Sequence, residues 1–419
     1  MCHTIAQLTV LLPILLGQET QDPPPAQPQP PPDQAQTPPH DDELFKDLGR
    51  TFEILQQSLS ALGGISDESR EVVRSLRLRF TEYNAVNPNH DRGIAHELQL
   101  AIWLGEDDLV NSLFPKLMEL VEDDQPMRRS WSDYYLRANN YERLIALLSG
   151  TPADPTDDPE AVLTLSRCFF AQHRFGEALD MLESIPVEAT AQNTALTARI
   201  DRLRDNCESY AELWPFEQVI RSTEEAVDDL PRVELVTARG RIVVELFENE
   251  APNTVANFIS LVEAGFYDGT KFHRVVQNFI AQGGDPNTKP GATGIPGRGG
   301  PGHRIPDEHT REGARNHFAG SLAMAKTRLP HTAGSGFFLT HEPTPHLNGQ
   351  YTVFGRILEG LDVARGLKIN DELVSAAVLR KRDHDYSPDS LPELETDPPG
   401  AFGRLLPPQL SPLPPPPPR

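Results

Sequence analysis

The stretch FHRVVQNFIAQGGDP, residues 272–286, places a single cation among apolar side chains. Arg274 lies between Phe272 and Phe279, and Gln282 follows within the same stretch. A guanidinium stays charged at any relevant pH and presents several N–H donors. Such a residue is either half of a buried ion pair or a donor that stabilises an electron pair developing on a bound molecule. These residues alone favour the ion pair, so the choice depends on the elements around them.

The residues on either side of this stretch predict a β-rich fold. The segment VELVTARGRIVVELF at 233–247 predicts a hairpin that turns at Arg239 and Gly240. Pro252 begins a predicted helix that Gly265 ends, with apolar side chains at helical spacing. Beyond it, short apolar runs alternate with Gly-rich loops, which is typical of an antiparallel barrel or sandwich with few helices.

Residues 42–230 instead predict one helix after another. Apolar side chains recur at helical spacing on both sides of Gly105. Tyr141 and Phe175 each follow a helix and a short polar turn and lie 34 positions apart (175 − 141), as do Asp107 and Tyr141 (141 − 107). This period resembles that of tetratricopeptide repeats, although any bundle of helical hairpins would show similar faces. Stacked repeats would form a concave surface for a protein partner; otherwise the region is a spacer.

Charge is distributed unevenly along the chain. The 419 residues carry a formal net charge of −23. Residues 1–231 hold 18 Lys and Arg against 40 Asp and Glu, a balance of −22 (18 − 40), whereas residues 232–383 hold 18 against 16, a balance of +2 (18 − 16). An acidic surface repels phosphate backbones, which argues against a nucleic-acid partner. The 40 prolines indicate disordered segments at 18–41 and 384–419 that cannot form a core.

Residues 1–17 include an apolar run, LTVLLPILLG at 8–17, that is typical of a signal peptide. The run is shorter than the roughly 18–20 residues of a spanning helix. We therefore expect export to the periplasm or another extracytoplasmic compartment and no stable membrane span; without export the protein would be cytoplasmic. Cys168 and Cys207 either pair in the exported protein or remain two buried thiols.

Five motifs in the second half of the chain point to one known family. Their order is FHRVVQNFIAQGGDP (272–286), GGPGHRIPDE (299–308), FAGSLAMA (318–325), GSGFFLT (334–340) and HLNGQYTVFGRI (346–357). This order resembles the cyclophilin family of peptidyl-prolyl cis-trans isomerases over about 232–383. The resemblance implies a closed eight-stranded antiparallel β-barrel capped by two helices, the second near 360–367. The chain is thus predicted to be multidomain, with α-helical hairpin repeats (42–230) before an isomerase domain (231–383).

The chemistry of that family fits the residue types. Rotation about an X–Pro bond has a barrier of about 18–20 kcal/mol because the nitrogen lone pair is delocalised. A guanidinium that donates to this nitrogen draws the lone pair out of conjugation, while an apolar pocket holds the proline ring and excludes water. By its place in FHRVVQNF, Arg274 resembles the catalytic arginine of the family, with Phe279 and Gln282 as its companions. The resemblance also implies a substrate-binding set: Ile280, Ala325, Phe338, His346, Leu347 and Tyr351.

Four positions depart from the usual family pattern. Gly336 stands where a Gln is common, Lys326 where an Asn is usual, His346 where many eukaryotic members carry Trp, and Tyr351 where they carry His. The first two changes put a second substrate-orienting amide in doubt. The rim changes put strong binding of the cyclic peptide inhibitor cyclosporin in doubt.

The sequence therefore predicts an isomerase that acts on X–Pro bonds in unfolded or newly exported chains. It predicts no cofactor and no metal, because the histidines show no repeated spacing with Cys or carboxylates. The alternative is a catalytically weak scaffold or chaperone whose groove holds proline segments while the helices recruit a partner. The set Arg274, Phe279 and Gln282 favours the enzyme, and Gly336 keeps the alternative open. The polar stretch STEEAVDDLPR at 222–232 predicts a linker between the two regions.

Overall fold

The computed structural model describes residues 41–62, 67–120, 132, 135–137, 139–149 and 154–393. The chain divides into two compact units, residues 1–127 and 128–419. The predicted signal peptide lies outside the described residues, as do nearly all of the linker at 18–41 and the chain beyond 393. None of the helices in the described part combines the length and the apolar character that a membrane crossing requires.

The described part of the first unit is helical. Its helices are α1 (Asp41–Leu62), α2 (Asp67–Val86), α3 (Asp91–Leu104) and α4 (Asp107–Leu120). Leu55 of α1 and Phe80 of α2 are fully buried in one apolar core. The predicted helical faces are confirmed at Leu98 and Leu117, which are also fully buried. Gly105 ends α3 in the left-handed conformation, with a φ of 75°, which a glycine adopts without steric cost.

The described part of the second unit has five helices with defined bounds before its first strand. They are α5 (Tyr141–Ser149), α6 (Pro159–Ala171), α7 (Phe175–Glu183), α8 (Val187–Thr190) and α9 (Thr194–Val227). The helices α4, α5 and α7 begin at Asp107, Tyr141 and Phe175, so the 34-residue spacing in the sequence is also a spacing of helix starts. Equal spacing of helix starts does not by itself establish a repeat family. The tetratricopeptide-like assignment therefore stays a prediction.

The rest of the second unit is built on antiparallel strands. They are β1 (Arg232–Thr237), β2 (Gly240–Leu246), β3 (Thr270–Lys271), β4 (Arg274–Val276), β5 (Ile280–Gly283), β6 (His303–Arg304), β7 (Ser321–Met324), β8 (Phe337–Thr340), β9 (Val353–Glu359), β10 (Glu372–Arg380) and β11 (Leu391–Pro392). Nine strands form one sheet in the order β3-β10-β1-β2-β9-β7-β8-β5-β4, and β6 pairs with β11. The predicted hairpin is confirmed, since β1 and β2 pair with Thr237 opposite Gly240.

The sheet is a curled, open half-barrel of nine strands, which corrects the prediction of a closed eight-stranded barrel. Its two edges are β3 and β4, which only Phe272 and His273 separate along the chain. Phe272 is fully buried, its N–H donates to Asp371 O and its carbonyl accepts from Asn370 N. The backbone here is therefore bonded to the loop before β10, and the ladder between strands does not continue from β3 to β4 in the described chain.

Two helices pack with the sheet, α10 (Pro252–Glu263) and α11 (Leu361–Gly366). The predicted helix at Pro252 is confirmed, with the proline in its first turn, where the missing N–H has no partner to lose. Its apolar residues at helical spacing are buried in the main core: Val255, Phe258, Ile259 and Val262. The same core contains Ala364 of α11, near the predicted position of the second cap helix.

Buried ion pairs join the long helix α9 to the sheet. Glu217 and Glu224, two turns apart on α9, contact the Arg315 guanidinium at 2.7 and 2.6 Å. Arg356 on β9 contacts Glu224 at 3.0 Å and Glu245 on β2 at 2.7 Å. None of these five side chains is more than 9% exposed. Each charge therefore depends on its partners rather than on water.

The prediction of a linker at 222–232 is wrong. Helix α9 continues to Val227, and β1 begins at Arg232. Between them Leu230 is buried, and its carbonyl accepts two hydrogen bonds from the Arg380 guanidinium at 2.7 and 2.9 Å. The predicted boundary between 230 and 231 stays a prediction, but the connection there is short and anchored.

The fold also continues past residue 383, where the sequence predicts a Pro-rich tail. Tyr386 is buried, and its hydroxyl donates to Glu248 at 2.8 Å. Strand β11 pairs with β6. Residues 384–393 are therefore part of the folded unit.

Cys168 and Cys207 are buried free thiols. Burial raises the pKa of each to about 12, because a thiolate is poorly solvated in an apolar interior. Of the two alternatives that the sequence leaves open, the structure has the unpaired, buried thiols.

Candidate active site

Neighbouring strands bring the predicted catalytic residues into one row. Arg274 on β4 pairs with Gln282 on β5, which pairs with Phe338 on β8. Phe338 in turn pairs with Ala323 on β7, which lies opposite Val353 on β9. Residues directly opposite one another on paired strands point to the same face of a sheet. Arg274 and Gln282 therefore share a face with the three apolar residues.

Strand alternation separates this face from the main core. Phe337 and Leu339 are buried in the main core, whereas Phe338 between them is buried in a second cluster on the opposite face. The buried members of this second cluster are Leu230, Phe247, Phe279, Ile280, Ala323, Phe338, Leu347 and Val353. Ala325 and Tyr351 pack against it while partly exposed. The second cluster thus brings together predicted site residues from four separate motifs.

Aromatic rings and the arginine border the second cluster. His346 stacks on Phe279, with ring centroids 5.3 Å apart and an interplanar angle of 27°. Tyr351 meets Phe338 edge-on, at 5.8 Å and 84°. The Arg274 guanidinium carbon lies 6.0 Å from the Phe279 ring centroid, at the outer limit of a cation–π contact. Burial raises the pKa of Tyr351, and the nearby charge of Arg274 opposes that rise.

Two of the unusual positions lie at the border of the same site. Ala325 N donates to Gly336 O at 2.9 Å, and a Cβ added at Gly336 would lie 3.4 Å from the Ala325 Cβ, an ordinary contact. Lys326 Nζ lies 3.3 Å from an Asp307 carboxylate oxygen and 5.9 Å from the centre of the Tyr351 ring. The site therefore has an ammonium group at position 326 and no side chain at 336, where the family pattern has two amides.

His317 supports the site, and sequence reasoning missed it. It is fully buried and stacks on Phe338, with ring centroids 5.9 Å apart and an interplanar angle of 4°. Its backbone N–H donates to Asn348 Oδ1 at 2.8 Å, and its ring Nδ1 lies 3.0 Å from the same oxygen. Burial lowers the pKa of His317 to about 4, so the imidazole is neutral at pH 7. Its one signal in the sequence is its place directly before the FAGSLAMA motif.

Comparison with known proteins assigns this part of the chain. A family model described as cyclophilin type peptidyl-prolyl cis-trans isomerase/CLD matches residues 232–382. A peptidyl-prolyl cis-trans isomerase of Synechococcus elongatus is 44% identical over 147 residues, which are 35% of this chain and 94% of that protein. The chain belongs to the cyclophilin-type isomerase family. Peptidyl-prolyl cis-trans isomerase B of Bacillus subtilis is also 44% identical, over 138 residues that are 33% of this chain and 90% of that protein.

A solved structure of the family is similar as well. It is a cyclophilin type peptidyl-prolyl cis-trans isomerase of Cryptosporidium parvum in the presence of the dipeptide Ala-Pro, 29% identical, covering 35% of this chain and 98% of that chain with a TM-score of 0.31. The family recognised from five motifs is confirmed by the sequence relatives. The chain is accordingly a peptidyl-prolyl cis-trans isomerase of a family that binds peptides containing proline.

Proposed function

We propose that Arg274, Phe279 and Gln282 carry out the isomerisation and that the second cluster holds the proline ring. The observation that carries this proposal is the cross-strand row from Arg274 through Gln282 to Phe338, in which a guanidinium and an amide adjoin buried aromatic surface. The remaining substrate contacts in the proposal are Ile280, Ala325, His346, Leu347 and Tyr351.

The proposed mechanism needs neither a nucleophile nor a metal. In both planar states the proline nitrogen shares its lone pair with the carbonyl, and in the twisted state the pair is localised on nitrogen. A hydrogen bond from Arg274 to that nitrogen is therefore stronger in the twisted state than in either planar state, which lowers the barrier. Phe279 and Phe338 exclude water and strengthen this bond, while Gln282 orients the substrate backbone.

The proposal extends to the physiological substrates. Uncatalysed X–Pro isomerisation takes tens of seconds or longer, which is slow enough to limit the folding of newly made chains. The apolar run at 8–17 supports export, so the proposed substrates are unfolded or newly exported proteins in an extracytoplasmic compartment. Cell fractionation with N-terminal sequencing of the mature protein tests this. Protein found in the cytoplasm with residues 1–17 retained would contradict export.

A protein partner on the helical region stays a separate proposal. It is supported by the 34-residue spacing of helix starts at α4, α5 and α7, a period that is typical of peptide-binding repeats. Affinity capture and cross-linking with the full chain would test it: cross-links from a partner to residues 42–230 support the proposal, and cross-links confined to 231–383 would contradict it.

The residue roles are tested with Arg274→Ala and Arg274→Lys in the full chain. We expect kcat/KM on a short X–Pro peptide, measured by protease-coupled assay, to fall by about a hundred- to a thousandfold in the alanine variant. The lysine variant should recover only part, because an ammonium lacks the planar donor geometry. Arg241→Ala is the matched control: it removes an exposed arginine from β2 that pairs with Glu234 and Glu359.

Two results would count against these roles. Arg274→Ala with more than a tenth of wild-type turnover and native circular dichroism would exclude the arginine as the donor. The weakly catalytic scaffold would be favoured by a different result: the wild-type protein binds a proline peptide but turns it over no faster than the Arg274→Ala variant does.

A further inference from the structure

The turn between β4 and β5 controls the direction of two proposed catalytic side chains. It lies between Arg274 and Phe279, and Phe279 N donates to Val276 O across it at 3.1 Å. Its residue Asn278 has a φ of 55°, in the left-handed region that costs energy for a residue with a Cβ, although Asn tolerates it better than most. Such a turn persists when surrounding contacts stabilise it.

Those contacts come from the segment of helices and turns that precedes the sheet in the same unit. The Asn278 N–H donates to Asn139 Oδ1 at 2.6 Å, and its Oδ1 accepts from the Tyr141 hydroxyl at 3.0 Å. The Asn278 carbonyl accepts from the Arg167 guanidinium at 3.3 Å. Asn139, Tyr141 and Asn278 are each at most 9% exposed, so water cannot easily replace these bonds.

The three bonding partners are themselves held in place. Asn139 donates through Nδ2 to Arg365 O at 2.8 Å. Arg167 makes two hydrogen bonds to the Glu342 carboxylate, at 2.7 and 3.1 Å. The Arg365 guanidinium lies over the Tyr141 ring, 4.7 Å from its centroid. The turn therefore rests on fixed groups and not on mobile surface side chains.

We propose that Asn139, Tyr141 and Arg167 are positioning residues for the isomerase: they hold the Asn278 turn so that the arginine before it and the phenylalanine after it face the same X–Pro bond. The inference rests on the proposed roles of those two residues. The family match begins at residue 232, so the three positioning residues belong to a part of the chain outside it. The helical segment is then a component of the active site's support, and the isomerase domain alone would lack it.

Tyr141→Phe in the full chain removes the hydroxyl and keeps the ring. We expect kcat, measured by NMR exchange spectroscopy on an X–Pro peptide, to fall about three- to tenfold. This is the factor by which the loss of one hydrogen bond shifts the equilibrium between the ordered and the disordered turn. KM should change less than kcat, because the misplaced Arg274 acts on the twisted state, whereas Phe279 is one of several apolar side chains that hold the proline ring. The control is Tyr386→Phe, which removes another buried hydroxyl of this unit, bonded to Glu248, and should leave both constants unchanged.

Asn139→Gly is the second variant, because glycine accepts the φ of 54° found there while removing the acceptor for the Asn278 amide. Hydrogen exchange of that amide should accelerate about tenfold or more, with the β1 amides unaffected. Any of three results overturns the proposal. They are a wild-type kcat in both variants, a change in KM alone, and a loss of kcat no larger than that of Tyr386→Phe. The proposed function is judged separately, by the turnover of Arg274→Ala.

Discussion

Replacing Arg315 by methionine measures how strongly helix α9 is bound to the loop before β7, in which Arg315 lies. The Arg315 side chain is 3% exposed and donates to two carboxylates of α9: to Glu217 at 2.7 and 3.1 Å and to Glu224 at 2.6 Å. Methionine is unbranched, flexible and uncharged, and its volume is close to that of arginine, so it fills much of the same space although it is shorter. The substitution therefore removes the charge and its donors while preserving most of the packing.

The expected cost is about 3–5 kcal/mol, the usual result of removing one partner from a buried ion pair. Although Glu217, Glu224 and, at 3.9 Å, the partly exposed Glu250 all lose a partner, the cost should not multiply. Glu217 keeps Arg221 at 2.7 Å, and Glu224 keeps Arg356 at 3.0 Å. A loss of this size is a large part of the roughly 5–15 kcal/mol by which a typical domain is stable.

Urea unfolding of the full chain, followed by circular dichroism, measures the change. Two further variants make the result specific. Arg315→Met combined with Glu217→Gln and Glu224→Gln should recover at least half of the loss, because the two buried carboxylates that lose this cation are then uncharged. Arg199→Met removes an exposed arginine of α9 that pairs with Glu160 at 2.8 Å, and it should cost less than about 1 kcal/mol. A cost below about 1 kcal/mol for Arg315→Met, or a triple variant no more stable than the single one, would refute the reasoning.

Three other predictions concern titration, inhibition and thiol reactivity. Burial lowers the pKa of His317 to about 4 in the folded protein, whereas the pKa is near 6.5 in the unfolded chain. Between these two values the unfolded chain binds more protons than the folded protein, so stability falls as the pH drops below about 6.5. Urea titrations at pH 7.5 and 5.0 should show a loss of about 2 kcal/mol from this group, which is absent in His317→Asn; equal pH dependence in both proteins would contradict it. His346→Trp should bind cyclosporin about ten- to a hundredfold more tightly in isothermal titration, with little change in X–Pro turnover, because an indole adds apolar area and an N–H donor at the rim; no gain would assign recognition to other positions. Cys168 and Cys207 should react with iodoacetamide at least about a hundredfold more slowly in the native protein than in urea, since both are buried with a pKa of about 12, and rapid native labelling would contradict their burial.

The main features of the site could be predicted from the sequence because its residues lie in contiguous motifs. Arg274, Phe279 and Gln282 fall within fifteen positions (272–286), and a turn of short strands is enough to bring them together. The support for the site could not be predicted in the same way. The Tyr141 hydroxyl and the Asn139 side chain bond to a residue 137 and 139 positions later, and no local pattern records such a contact.

Two of the errors in the fold, the linker and the closed barrel, have the same origin. The polar, acidic composition of 222–232 predicts a linker because Glu is rarely buried, yet Glu224 is buried against Arg315 and Arg356. The prediction of a closed barrel is wrong because the strand ladder is interrupted at Phe272, whose backbone bonds to residues nearly a hundred positions later. In both cases a distant partner decides the local structure, and composition and period describe only the local chain.

These contacts explain part of the uneven distribution of charge along the chain. Some of the carboxylates that make the first half of the chain acidic are buried against arginines of the near-neutral second half, as Glu217 and Glu224 are against Arg315. These ion pairs and the bonds to the Asn278 turn involve different residues of the helical segment. Stability and catalysis should therefore separate: Arg315→Met should lose stability with little change in kcat, and Tyr141→Phe should lose kcat at a smaller cost in stability. Parallel losses of both in the two variants would mean that the helices act on the site only by keeping the sheet folded.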